Sequence, residues 1–280
     1  FNNKLWLGKA PPPTPDPANA KTFPQEWHNY GGDKLWPSPQ SAWPQHQPIA
    51  WPPDPNFDTG PYTVKRLSNG LRLVSPVSPY YGVRVIRDIT LRPRSARVFL
   101  QDTFYKMRRT SGKVGVFPIG LWSIAQVRGD ATVYLPLNFR GKFPGVGFTS
   151  LGDKADLPPN AKPHGDLLTV TRPSNVSSKV GVDDRAGWMA CLFDGNLLFS
   201  EHFTRLPNAP YPDKGTNAQV YTNGDDTQAY IEMEVLDRLV TLKPGHQITR
   251  AVSWRLQRLP RTPTSDAQAR ALVKKAMQER

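Results

Sequence analysis

The sequence is poor in cysteine, because Cys191 is the only one among 280 residues. A single thiol excludes an internal disulfide framework and any multi-cysteine metal site. No apolar run approaches the roughly 18–20 residues that a helix needs to span a bilayer, so we expect a soluble chain. Cys191 lies in the short apolar run 188–193 and is therefore predicted to be buried.

Motifs of nucleotide-dependent and nucleophilic chemistry are also missing. The chain contains no Gly-x-Gly-x-x-Gly or phosphate-binding loop, no Gly-x-Ser-x-Gly nucleophile turn and no His-Glu-x-x-His zinc motif. Asp183 and Asp184 are adjacent, but too few further oxygen ligands accompany them for a calcium site. The sequence therefore predicts neither a cofactor nor a metal.

Acidic residues are scarce relative to basic ones, 23 against 36, and the formal net charge is +13. Such a charge favours an acidic partner. Nine basic residues lie between Arg84 and Lys113, where they alternate with apolar residues as on the solvated face of amphipathic strands. No nucleic-acid-binding motif accompanies them. We therefore expect contact with an acidic glycan or lipid surface in preference to nucleic acid.

Proline, in contrast, is abundant, and 14 of the 30 prolines lie in residues 1–61. The run 11–17 cannot join a sheet interior, so we predict an extended arm over residues 1–30. Trp36, Trp43 and Trp51 each precede a proline, and disordered tails rarely carry so many aromatic residues. We expect this Trp-Pro stretch to be pinned irregularly against the domain, along one rim of a groove.

From Tyr62 onward, short β segments separated by turn residues predict a mostly β domain, an antiparallel sandwich or barrel over residues 31–260. The gap 139–165 is predicted to be a long loop that covers a ligand. The predicted strands are 71–74, 83–91, 95–103, 118–127, 131–137, 167–171, 187–193, 197–204, 218–221, 230–236 and 251–257.

A C-terminal helix is predicted within residues 261–280. Ser265 or Asp266 can cap its start, and apolar residues follow at roughly helical spacing. Lys274 and Lys275 lie near its negative end, where cations are favourable. We expect this helix and the N-terminal arm to pack on the domain or to contact protein partners.

Two acidic residues share one face of the predicted strand 230–236. Side chains alternate along a strand, so Ile231, Met233 and Val235 face one side while Glu232 and Glu234 face the other, about 6.5–7 Å apart. The strand pattern leaves two interpretations open. The acids form either a solvent-exposed polar face or a carboxylate pair for acid–base chemistry.

The order of motifs around this strand resembles the C-terminal part of aldose 1-epimerases and hexose-6-phosphate mutarotases. The motifs are Val220-Tyr221-Thr222, the acid-bearing strand, Leu242-Lys243-Pro244-Gly245 and a final strand with Trp254. Segments 31–40, 51–54 and 121–127 further resemble a bacterial group of unassigned activity with the same fold. The resemblance covers roughly residues 31–256 and implies a galactose-mutarotase-like antiparallel β-supersandwich.

The resemblance also implies catalytic residues. In those families a glutamate of the acid-bearing strand is the base, a role that falls here on Glu232 or Glu234. The acid, usually a histidine, lies near the hairpin that residues 121–127 resemble, where this chain has Trp122. His164 and His202 are therefore the candidate replacement acids.

Aromatic and polar residues elsewhere fit the contacts of a sugar groove. Tryptophan stacks on the apolar face of a pyranose, while carboxylates and arginines bond its hydroxyl groups. The alternative for each residue is a core tryptophan or a turn aspartate. The candidate substrate-binding residues are Trp36, Trp51, Trp122, Arg185, Trp188 and Asp213.

Two functions remain open from the sequence. The first is a carbohydrate-binding or carbohydrate-active protein that epimerises an anomeric centre or cleaves a glycosidic bond. The alternative is a non-catalytic structural or accessory subunit of an envelope or membrane-associated complex. The chain begins at Phe1 rather than Met, so we expect that this is not the native start of the protein. We expect a periplasmic or extracellular location in a bacterium.

Overall fold

The computed structural model describes Trp27 and residues 29–109, 117–152 and 156–279. Nearly all of the predicted arm 1–30 therefore lies outside the described residues. The strands are β1 (Asp33–Ser38), β2 (Thr63–Leu67), β3 (Gly70–Val77), β4 (Val83–Leu91), β5 (Arg97–Lys106), β6 (Gly120–Arg128), β7 (Thr132–Pro136), β8 (Phe148–Ser150), β9 (Ala161–His164), β10 (Leu167–Val170), β11 (Ser178–Val182), β12 (Trp188–Phe193), β13 (Leu197–Phe203), β14 (Ala218–Thr222), β15 (Tyr230–Leu236) and β16 (Gln247–Arg258). The α-helices are α1 (Trp43–His46) and α2 (Asp266–Gln278).

The strands form two antiparallel sheets. The six-stranded sheet has the order β1-β6-β15-β14-β11-β8, and the ten-stranded sheet has the order β2-β3-β4-β5-β16-β13-β12-β7-β10-β9. The mostly β, antiparallel sandwich with a C-terminal helix that the sequence predicted is confirmed. Among the described residues, no helix is long and apolar enough to cross a membrane.

Several strands lie where the sequence predicted irregular chain. β1 falls in the Trp-Pro stretch, and it accommodates Pro37 because it is an edge strand paired only with β6. β8 and β9 lie in the predicted loop 139–165 and have only three and four residues. Strands this short carry too few side chains for an alternating pattern to be recognised.

The main core lies between the two sheets. Ile231, Met233 and Val235 of β15 face into it and meet Val252 of β16 from the other sheet. Cys191 is fully buried in the same core, as expected, and burial raises the pKa of its thiol. Because the apolar side chains of β15 pack in this core, the alternate side chains of that strand face outward from the six-stranded sheet.

Helix α2 packs on the outer face of the ten-stranded sheet. Ser265 caps it by accepting a hydrogen bond from the backbone N–H of Gln268. Ala269, Val273 and Met277 are buried in one cluster with residues of β12 and β13. The apolar stripe of this helix is therefore occupied by the domain itself.

Buried charges join the two sheets. Arg87 on β4 of the ten-stranded sheet donates to Asp102 on β5 (2.7 Å) and to Asp33 on β1 of the six-stranded sheet. Arg250 on β16 donates to the carbonyl of Val235 (2.6 Å). These contacts fix the position of β1 and β15 relative to the larger sheet.

Glu201 is a buried carboxyl between the sheets with an incomplete set of partners. Trp254 Nε1 donates to its Oε1 (2.8 Å), while its Oε2 is buried without a hydrogen bond from any described residue. Burial raises the pKa of Glu201 from about 4.5 to about 8. A carboxyl with a raised pKa in the folded state destabilises that state as pH rises from 4.5 to 8.

Replacing Glu201 with glutamine should remove this part of the pH dependence of stability. Each pKa unit corresponds to about 1.4 kcal/mol, so we expect E201Q to gain a few kcal/mol over the wild type at pH 9 and little at pH 4. Urea unfolding at the two pH values measures this. The exposed Glu279, substituted as E279Q, is the matched control, and equal gains at both pH values would contradict the account.

Candidate functional site

An open pocket of about 480 Å³ lies on the outer face of the six-stranded sheet. Its floor is formed by neighbouring strands in the order β6, β15, β14 and β11. The lining residues are Trp27, Trp36, Gln40, Trp51, Trp122, Leu151, Gly152, Ser177, Ser178, Lys179, Tyr221, Tyr230, Glu232 and Glu234. A volume of this size fits a small ligand.

Tryptophans form one wall of the pocket. Trp36 touches the rings of Trp27, Trp51 and Trp122 at centroid distances of 6.3, 5.8 and 5.5 Å, all edge to face. Asp58 accepts hydrogen bonds from the ring N–H groups of both Trp27 (2.8 Å) and Trp36 (2.9 Å). Trp51 is 44% exposed, so its ring is the part of this wall most available to a ligand.

Glu234 lies at the base of the pocket and is completely buried. Its Oε2 accepts a hydrogen bond from Trp122 Nε1 (2.7 Å) and pairs with Lys179 Nζ (2.8 Å). Burial raises the pKa of Glu234 to about 7, and the positive charge of Lys179 opposes that rise. A carboxyl whose pKa is near neutrality can change its charge state within the working pH range of an enzyme.

Lys179 completes this arrangement, although the sequence did not identify it. Its Nζ lies 4.6 Å from the centre of the Trp122 ring, and its side chain is 20% exposed. In the sheet, Lys179 lies opposite Tyr221, which in turn lies opposite Glu232. The signal that could have identified it is the alternation of Lys179 and Gly181 with Val180 and Val182, which is typical of a strand with this lysine on its polar face.

Glu232 is the glutamate with an available oxygen. Its Oε1 accepts a hydrogen bond from Gln126 Nε2 (2.7 Å), and Lys34 Nζ lies 3.7 Å from the same atom. No described residue donates to its Oε2, and the residue is 8% exposed at the pocket. A ligand hydroxyl group in the pocket can therefore donate to Glu232 Oε2.

The structure brings five of the sequence-predicted site residues into one pocket, namely Trp36, Trp51, Trp122, Glu232 and Glu234. The two candidate histidines are elsewhere. His164 is exposed on β9, the edge strand of the ten-stranded sheet. His202 lines a separate cavity on that sheet, and its ring makes a hydrogen bond with Ser200 (3.1 Å).

The other three predicted contact residues also lie outside this pocket. Trp188 is buried in the cluster beneath α2. Arg185 is exposed beside a different cavity, at the end of β11. Asp213 accepts a hydrogen bond from Gln219 (2.9 Å), whose backbone pairs with Glu234, so it contacts the floor of the pocket indirectly.

No group of three or more His, Cys, Asp or Glu side chains within the described parts of the chain is arranged to hold a metal. Asp183 pairs with Arg205. Asp184 accepts hydrogen bonds from the backbone N–H groups of Ala186 (2.7 Å) and Trp188 (3.0 Å). Both carboxylates therefore have structural partners.

Comparisons with known proteins give a family and a fold. The family model described as "Domain of unknown function (DUF4380)" matches residues 2–257, whereas no curated protein matches the chain. A solved Escherichia coli K12 protein, assigned as an aldose 1-epimerase, is 12% identical with a TM-score of 0.50, over 74% of this chain and 72% of that one. That likeness confirms the mutarotase-like fold that the sequence resemblance implied.

Two further solved structures are similar at lower scores. A galactose mutarotase related enzyme from Lactobacillus acidophilus is 9% identical with a TM-score of 0.41, over 73% of this chain and 74% of that one. The GH36 α-galactosidase AgaB from Geobacillus stearothermophilus is 12% identical with a TM-score of 0.43, over 90% of this chain and 35% of that one. This chain thus spans about a third of the galactosidase.

Proposed function

This chain belongs to the DUF4380 family, and we propose that it binds a sugar in the tryptophan-walled pocket and interconverts the sugar's anomers. The observation that carries the proposal is the arrangement of Glu232, with one available oxygen, beside the Glu234–Lys179 pair. These groups supply a proton acceptor and a proton donor on one face of the sheet. The mutarotase-like fold is consistent with this chemistry.

Binding follows from the shape and chemistry of the pocket. The apolar face of a pyranose ring stacks against the exposed ring of Trp51, while hydroxyl groups of the sugar bond polar groups on the floor. Ser177, Tyr221 and Glu232 supply such groups at the lining. One aromatic wall and a polar floor suit a ring that has an apolar face and polar edges.

The reaction requires two proton transfers. Glu232 takes the proton of the anomeric hydroxyl group, and the C1–O1 bond becomes a carbonyl. The C1–O5 bond breaks, and the ring oxygen keeps the electron pair and receives a proton from the ammonium group of Lys179. After rotation about C1–C2, the ring closes on the other face of the carbonyl and both protons return.

We assign the base to Glu232 rather than to Glu234. Glu234 is completely buried and already bonded to Trp122 and Lys179. The ion pair between its Oε2 and Lys179 Nζ (2.8 Å) holds in place the ammonium group that donates the proton. Glu234 is therefore a positioning residue that acts through Lys179.

Removal of the exposed tryptophan tests the binding part of the proposal. Trp51→Ala should weaken sugar affinity roughly tenfold, because the ring loses its stacking surface. Isothermal titration with a panel of aldoses measures this on the full chain. Phe139, an exposed aromatic residue outside the pocket, gives the control variant F139A. If W51A and F139A bind as the wild type does, the pocket is not the sugar site.

A second candidate function is a non-catalytic sugar-binding subunit of a larger complex. The observation that favours it is the absence of a histidine from the described lining of the pocket, where Trp122 bonds Glu234 instead. Native mass spectrometry of the natural assembly distinguishes the two. A tight stoichiometric protein partner together with no anomer exchange would support the second candidate, whereas a free chain that accelerates exchange supports the first.

A further inference from the structure

A second cavity lies where the chain leaves β11, outside the proposed sugar pocket. Its volume is about 640 Å³, and four basic side chains line it, those of Arg140, Lys142, Arg185 and Arg205. Arg140 and Lys142 come from the segment after β7, Arg185 from the segment after β11, and Arg205 from the segment after β13. Three separate segments thus converge to place positive charge around one space.

The single carboxylate of this cavity does not balance that charge. Asp183 is 1% exposed, and its two oxygens are used by Arg205 Nε and by the backbone N–H of Lys142 (3.2 Å). The four basic residues and Asp183 leave a local charge of +3 in the lining. A cavity of such charge attracts anions and concentrates them.

Arg205 is held in a fixed orientation at this cavity. Its side chain is 10% exposed, its Nε bonds Asp183, and its guanidinium group lies 5.5 Å from the centre of the Tyr211 ring. Its Nη1 donates to the carbonyl of Leu206 (3.3 Å). Its Nη2 has no hydrogen-bond acceptor among the described residues, so this donor is available to a ligand.

Arg140 and Arg185 add donors that are equally available. Both residues are exposed, and neither side chain makes a hydrogen bond or ion pair with any described residue. Like charges without counter-ions are unfavourable together, and a bound anion relieves that repulsion. Planar guanidinium groups bind phosphate-type oxygens through paired hydrogen bonds.

The cavity is separate from the sugar pocket. Lys179 and Asp183 are four residues apart along β11 and its continuation, a distance of roughly 13 Å. Between them, Thr216 and Leu151 cover Gly181, where an added Cβ would lie 2.6 Å and 2.8 Å from their side chains. The loop that carries Thr216 therefore forms a ridge between the two sites.

We propose that this cavity is a binding site for a tetrahedral oxyanion, the phosphate group of an inorganic or esterified phosphate. The ligand accepts hydrogen bonds from Arg205 Nη2 and from the guanidinium groups of Arg140 and Arg185, while Lys142 adds positive charge at the rim. The net charge of +13 draws anions to the whole molecule, but only a convergent set of donors gives a saturable site.

Titration with inorganic phosphate and with glycerol phosphate, followed by ³¹P NMR at physiological salt, tests the proposal on the full chain. We expect saturable binding to the wild type and at least tenfold weaker binding to the double variant R140A/R185A. Both substitutions remove side chains without described partners, so the fold should be retained, and thermal unfolding checks this. Equal affinity for the two probes shows that the site recognises the phosphate group alone, and tighter binding of the ester shows that it also recognises the esterified part; both results support the site.

The control variant R66A/R261A removes two exposed arginines elsewhere and changes the net charge by the same amount. It should bind phosphate as the wild type does. An equal loss in both double variants would overturn the proposal, because binding would then follow the overall charge alone. Unchanged binding in R140A/R185A, or no saturable binding to the wild type, would overturn it as well.

Discussion

Glu232→Gln is expected to lower the rate of anomer exchange by roughly 10²–10⁴-fold, the usual contribution of a positioned general base. Glutamine keeps the size of the side chain and its contact with Gln126, but it cannot take up the proton of the anomeric hydroxyl group. Exchange spectroscopy by NMR, with an aldose that the wild type accelerates, measures the rate. Sugar affinity should change much less than the rate, because the stacking surface of Trp51 is untouched.

Two companion variants separate the role of Glu232 from that of other carboxylates. E279Q removes an exposed glutamate at the end of α2 and should leave the rate unchanged. E234Q should cause a smaller loss than E232Q and should abolish the rise in rate around pH 7, since only ionised Glu234 forms the ion pair that positions the ammonium group of Lys179. A rate in E232Q equal to that of the wild type would refute the assignment of the base.

Arg87→Met is expected to destabilise the fold by about 3–5 kcal/mol, the cost of removing one partner from a buried charge network. Arg87 is 6% exposed and bonds both Asp102 and Asp33 between the two sheets. Burial raises the pKa of Asp33 to about 6 even with Arg87 present, so the loss of the arginine leaves two poorly solvated carboxyl groups. Urea unfolding at pH 7.5 measures the change in free energy.

Arg72→Met is the matched control on the same sheet. Arg72 pairs with Asp88 between β3 and β4 (2.6 Å), but its side chain is 44% exposed, and such pairs are worth about 1 kcal/mol or less. Should R87M and R72M lose the same small amount of stability, the buried network would not hold the sheets together. R87M should also gain stability relative to the wild type as pH falls towards 6, because Arg87 lowers the pKa of Asp33 and the variant therefore protonates this carboxyl at a higher pH than the wild type does.

The parts of the fold that the sequence predicted are those with an uninterrupted alternating pattern. β15 was predicted with the bounds that the structure has, because Ile231, Met233 and Val235 alternate with two glutamates. β16 extends beyond its predicted range at its start, to Gln247. β1 was not predicted, because its prolines and tryptophans interrupt the alternation of polar and apolar residues. Its pairing also depends on β6, a strand about 90 residues away in the sequence.

Within the candidate site, the sequence could predict only the relation between residues that lie on the same strand. The shared face of Glu232 and Glu234 follows from alternation alone. The sequence could not place Lys179 and Gln126 beside these glutamates, since their proximity depends on the strand order β6-β15-β14-β11. His202 adjoins Glu201 in the sequence, yet neighbouring residues on a strand face opposite sides, and β13 belongs to the other sheet.

Trp122 occupies the place in the chain where the resemblance implies a histidine. Tryptophan cannot transfer a proton to the ring oxygen of a sugar, so this residue must have a different role. In the structure, its ring N–H bonds Glu234 while Lys179 lies over its face. The position thus orients a carboxylate–lysine pair, which is why we assign the acid to Lys179.

A crystal structure of E232Q soaked with an aldose tests the central claim most directly. The account predicts a pyranose against Trp51 in the pocket, with its anomeric hydroxyl group within hydrogen-bond distance of residue 232 and its ring oxygen facing Lys179 Nζ. A sugar bound at another place on the molecule, with the side chains of residues 179 and 232 untouched, would contradict it.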